Sequence, residues 1–107
     1  MNTQRLDGEE LAIAAARALG WIPDGDQWHD EDGTWMADEY GPNERQMLAH
    51  LCRTGTVKLR VVDGACDASH RDYSGRRHSI YACGVDFTGA LRRLVVAVAA
   101  REAADGK

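Results

Sequence analysis

Apolar residues recur at helical spacing in three separated stretches of this chain, and they alternate with polar ones in two segments between. In the first stretch, GEELAIAAARAL (8–19), Leu11, Ala14, Ala15, Ala18 and Leu19 fall on one face among strong helix formers. Asp7 stands where an N-cap belongs, Glu9 and Glu10 suit the positive end of the helix dipole, and Gly20 followed by Pro23 marks the end. Trp21 and Ile22 are expected to fold back as core. In the second, ERQMLAHLCRTG, the stripe is Met47, Leu48, Leu51 and Cys52, capped by Asn43 and terminated by Gly55. The third, ALRRLVVAVAAREA, carries a wide face of Leu91, Leu94, Val95 and Val98 behind a cap at Thr88.

Residues 27–40 read as a β-hairpin around Asp32-Gly33. A two-residue loop there sets Trp28 opposite Ala37, whereas a three-residue loop ending at Gly33 puts the two indoles at opposite parity. TVKLRVVDG is a strand in which Val57, Leu59 and Val61 alternate with Lys58 and Arg60. The polar CDASHRDYSGRR reads as a turn-rich loop, and HSIYACGVDF as the last strand. The order α-β-β-α-β-β-α implies an α+β domain: one antiparallel sheet of about four strands covered by three helices, layered in an α/β/α-like manner.

A length of 107 residues fits a single domain over 1–107, with 1–6 and 103–107 frayed. Hydrophobic residues at 44% and charged residues at 28% exclude a disordered chain. The longest apolar run, Leu94 to Ala100, is too short to cross a bilayer, and MNTQRLDGEEL lacks the features of a signal peptide. The bacterial cytoplasm is the default location. Three widely spaced cysteines are expected to be reduced thiols: Cys52 and Cys83 as small buried hydrophobes, Cys66 in a loop.

Charge changes the picture more than composition does. Residues 1–50 hold eleven acids against three arginines, while residues 51–107 hold six acids against ten bases. Between Asp24 and Glu44, eight carboxylates precede the first base, Arg45. The run His29-Asp30-Glu31-Asp32 suggests a metal, yet it lacks the frame of a calcium loop, and alternate residues of a hairpin point to opposite faces. The cysteines lack the C-x-x-C or H-x3-H pairs of a zinc site. No nucleophile elbow or phosphate-binding glycine loop is present, so no catalytic residue, metal ligand or cofactor is assigned. His70, Arg71, Tyr73, Arg76, Arg77 and His78 form a basic, aromatic-interleaved stretch suited to phosphates, although a pI near 5.5 argues against a nucleic-acid binder.

Leu19-Gly20-Trp21 after the first helix, the hairpin carrying Trp28 and Trp35, the capped helix after Pro42 and the closing YACGVDFTGALRRLVVAVAA together resemble the phage ABA sandwich family. Arg92-Arg93 departs from that family's usual final helix, which tends to carry a cysteine. The resemblance implies a phage origin and a layered fold, and it brings no catalytic residues. The expected function is therefore a non-enzymatic phage or prophage accessory protein that binds a host protein or complex with a basic surface, such as a defence complex that holds nucleic acid. Its expected contact residues are Asp30, Glu31, Asp32, Asp38 and Glu39, with Trp28 or Trp35 as aromatic anchor. Membrane and direct nucleic-acid partners are not expected. The alternatives are a small metal-binding protein or metal-dependent enzyme using His29 and the cysteines, and a homo-oligomeric phage structural protein, a homodimer being its simplest form.

Overall fold

A computed structural model describes residues 8–24, 27–29, 35–36, 42–75 and 78–105. The elements run α1 (Gly8–Ala18), β1 (Ile22–Asp24), β2 (Gln27–His29), β3 (Trp35–Met36), α2 (Glu44–Leu51), β4 (Gly55–Val62), β5 (Ala65–Asp72), β6 (Ile80–Gly84) and α3 (Phe87–Asp105). Among the described residues all strand pairing is antiparallel, in two three-stranded sheets ordered β1-β2-β3 and β4-β5-β6. The class is α+β with three helices, as the periodicity implies.

The larger sheet contains a strand where a loop was expected. In β5, Cys66, Ala68 and His70 are buried, while Ala65 and Arg71 on the opposite face are exposed. Its inward residues are small or polar, so the usual alternation of large apolar side chains is absent, although the geometric period of two is intact. The turn that launches it is Asp63-Gly64, with φ of 50° and 79° and closing pair Val62↔Ala65. Positive φ at both central residues is what a two-residue hairpin with right-handed strand twist demands.

Helix α3 organises the core. Leu91, Leu94 and Val95 are at most 1% exposed, and they pack with Met47 and Leu51 of α2, Ala15 of α1, and Cys66 and Ala68 of β5. A Cβ added to Gly84 would come within 2.5 Å of the Ala90 nitrogen, so the end of β6 lies directly on the first turn of α3. Two neighbouring alanines of α1 serve two cores. Ala15 joins the α3 cluster, and Ala16 packs with Trp21 and Trp28 of the smaller sheet's end of the molecule. Successive helical residues are about 100° apart, so one helix wedges between both.

Several boundaries differ from expectation, each for a local reason. The buried face of α1 is Leu11, Ala12, Ala15 and Ala16, and Ile22 sits 44% exposed in β1 rather than folding back as core. Gly20 does end α1, with φ of 86°. Asn43 and Gln46 form a reciprocal capping box, each side chain accepting the other's backbone N–H at 2.9 Å, worth about 1 kcal/mol. At the other end, α2 stops at Leu51 with Cys52 as C-cap, and Gly55 opens β4. Helix α3 is capped by Asp86, whose Oδ1 accepts the Gly89 N–H at 2.7 Å. The expected cap, Thr88, donates instead to Glu44 Oε1 at 2.9 Å and ties α3 to α2. Helix α3 continues through Asp105, past the expected fraying point. Asp7 lies outside the described residues.

Candidate functional site

Among the described residues, the helices pack on the face of the β4-β5-β6 sheet that carries Val57, Cys66, Ala68, Ile80 and Ala82, and the opposite face is the open one. The alternation within each strand builds the open face. Lys58, Ser69 and Tyr81 form one cross-strand row; Arg60, Asp67 and Cys83 form the next. Apart from Cys83, these residues line an open depression of about 500 Å³ together with Thr56, Arg71 and Ser79. Tyr81 is 70% exposed.

Asp67 is the hub of this face. Arg60 Nη2 donates to Asp67 Oδ2 at 2.9 Å, and the Cys83 thiol donates to Asp67 Oδ1 at 3.0 Å. The Cys83 hydrogen bond, and after it the Arg60 one, hold the Asp67 carboxyl below its usual range. The stabilisation linked to Asp67 is thus complete above the ordinary carboxylate range and is lost as pH falls through its depressed value. The same carboxylate pushes the Cys83 thiol up. Asp67→Asn is therefore expected to speed alkylation of Cys83 several-fold at pH 8, read peptide by peptide by mass spectrometry, with buried Cys66 as the protected reference. An unchanged rate would show that Asp67 does not control the thiol.

Because Asp67 is committed to Arg60, the net charge of the face comes from Lys58 and Arg71. Neither forms an ion pair among the described residues. Lys58 and Arg71 stand on a cross-strand diagonal, their backbones about 7–8 Å apart.

The basic stretch noted in the sequence is split by this geometry. Arg71 faces the open side, whereas His70 is 5% exposed, its Nε2 3.1 Å from the Leu51 carbonyl oxygen and 3.2 Å from Thr54 Oγ1. That ring nitrogen joins the Thr54 N–H on the Leu51 carbonyl at the end of α2, a structural task. Tyr73 donates its hydroxyl to the Cys52 carbonyl. Arg76 and Arg77 lie outside the described residues. Near the His70 contact, burial and then Arg53 lower the pKa of His50, so its contribution to stability is full above about pH 6.5 and fades as pH falls.

The contact residues expected from sequence fare differently. Asp30, Glu31, Asp32, Asp38 and Glu39 lie outside the described residues. Trp28 is 8% exposed and packs on Ala16 and Trp21, so it is a core residue and not an exposed anchor. Trp35 pairs with His29, and Trp28 with Met36, which is the register of the three-residue alternative. The cysteines reverse their expected places: Cys66 is buried, while Cys52 and Cys83 are exposed. Among the described residues, no three His, Cys, Asp or Glu side chains come together as a metal-binding group. No described helix is long and apolar enough to cross a membrane. No protein family, curated protein or solved structure matches this chain, so the likeness to the phage ABA sandwich family rests on its short motifs alone.

Proposed function

We propose that this protein is a non-enzymatic binding module whose working surface is the open face of the β4-β5-β6 sheet, and that its partner is anionic there. The observation that carries this reading is the depression of about 500 Å³ lined by Lys58, Arg60 and Arg71 with Asp67 already neutralised by Arg60. Its volume falls in the range of ligand sites, and apart from Asp67 the polar side chains that line it are hydroxyl-bearing or cationic. The buried histidine beside the sheet has its Nε2 engaged by a backbone carbonyl, which favours binding over acid–base chemistry.

Calorimetric titration with polyphosphate tests this reading. The double variant Lys58→Glu with Arg71→Glu should bind about tenfold more weakly or worse, since both cations become repulsive. Equal affinity of the two proteins would refute it.

A second reading draws on the run of eight carboxylates from Asp24 to Glu44. In it, a phage accessory protein docks this segment on a host protein with a basic surface. Reversing Asp30, Glu31 and Asp32 to lysine separates the two: this triple variant should keep polyphosphate binding if the sheet face does the work.

A further inference from the structure

Resting on the sheet-face reading, we infer that the anionic partner is a single-stranded nucleic acid, with Tyr81 as the platform on which one base stacks and Lys58 and Arg71 as contacts to the flanking phosphates. Tyr81 is 70% exposed on β6, which flanks β5 at one side of the sheet, directly across from Ser69, which is itself opposite Lys58. Two strand spacings of about 4.8 Å separate the ring's strand from that of the lysine. Arg71 lies two residues along β5 from Ser69, about 6.7 Å away. An aromatic platform with cations at these separations matches a chain that alternates flat bases with negative charges.

An acidic peptide would use the cations but has no need of the ring. A duplex would keep its bases stacked inside, beyond reach of a lone tyrosine on a sheet. A splayed single strand uses both features. Ser69, Thr56 and Ser79 add hydroxyl groups on the same surface.

The chain's formal charge of -4 does not oppose this. At physiological salt the Debye length is about 8 Å, so charges beyond the face are largely screened and the local excess of cations decides. A low pI weighs against nucleic-acid binding only while the charges are averaged over the chain. The fold brings Lys58, Arg60 and Arg71 onto one face.

Fluorescence anisotropy with labelled decamers of single-stranded RNA and single-stranded DNA tests the inference, with polyphosphate, a deca-glutamate peptide and duplex DNA as competitors. Expected are tighter binding of at least one single-stranded decamer than of any competitor, and a loss of roughly 5- to 150-fold in Tyr81→Ala. Tyr81→Phe should retain affinity within about twofold, and the salt slope should be near -1.4 for two phosphates. Circular dichroism of Tyr81→Ala checks that this exposed position leaves the fold intact. Deca-glutamate binding as tightly as the decamers, or Tyr81→Ala binding like the wild type, overturns the nucleic-acid inference and leaves the sheet-face reading standing. Absence of binding to both decamers and polyphosphate overturns both.

Discussion

Leu94→Ala is expected to remove about 2–5 kcal/mol of stability, the range for deleting a fully buried leucine whose cavity does not collapse. Leu94 is 0% exposed and sits where α3 meets both α2 and the covered face of β5. No single neighbour can move to fill the space without leaving another. Domains of this size have total stabilities of about 5–15 kcal/mol, so the loss is a large fraction of the whole. Urea denaturation followed by circular dichroism measures it. Val85→Ala, at a position 90% exposed, is the control and should stay within about 0.5 kcal/mol. A Leu94→Ala cost no larger than that of Val85→Ala would mean that α3 is not the centre of the core.

Gly55→Val should be comparably damaging for a different reason. The first side-chain atom would stand 2.3 Å from the Arg71 carbonyl oxygen and 2.6 Å from His70 Nε2. The carbonyl belongs to the adjacent strand and has little freedom. His70 must therefore give up its contact with the Leu51 carbonyl, which keeps the Thr54 N–H as a partner, and the buried ring loses a hydrogen bond. Overpacking and the lost hydrogen bond together cost about 3 kcal/mol. Gly64→Ala provides the contrast: nothing lies within 4 Å of its Cβ position, and only the positive φ of 79° resists, at about 1 kcal/mol. Thermal unfolding of the two variants should rank Gly55→Val well below Gly64→Ala. The reverse order would show that β4 has room beside β5.

The elements legible in the sequence were those with a large apolar stripe. Leu91, Leu94, Val95 and Val98 announced α3, and Met47 and Leu51 announced α2; all are buried. Strand β5 escaped because its inward residues are Cys66, Ala68 and His70, which carry little hydrophobic signal. Asp63-Gly64 offered the same turn signal as Asp32-Gly33, but it followed a run of valines and read as a strand ending rather than a hairpin centre. Strand β1 is three residues long and contains Pro23, so nothing in its pattern marks it.

The candidate site was less legible still. Lys58, Asp67, Arg71 and Tyr81 lie on three strands and meet only through cross-strand pairings such as Lys58↔Ser69, Ser69↔Tyr81, Arg60↔Asp67 and Thr56↔Arg71. Attention to contiguous charge favours the acidic segment, where the residues adjoin in sequence. The roles of the three arginines of α3 were equally hidden. Arg92 donates to the Pro42 carbonyl, Arg93 to Cys83 and Arg101 to His78, so they staple the helix to its surrounding loops and strands. Such contacts depend on partners ten to fifty positions away, and no local pattern encodes them.

The most direct test of the open sheet face is a chemical-shift map of the backbone amides of isotope-labelled protein during titration with a single-stranded decamer. A working surface on this face predicts shifts concentrated at Thr56, Lys58, Arg60, Asp67, Ser69, Arg71 and Tyr81, with the α1 and α2 amides unmoved. Shifts confined to the helices, or to residues 30–39 of the acidic segment, would contradict it.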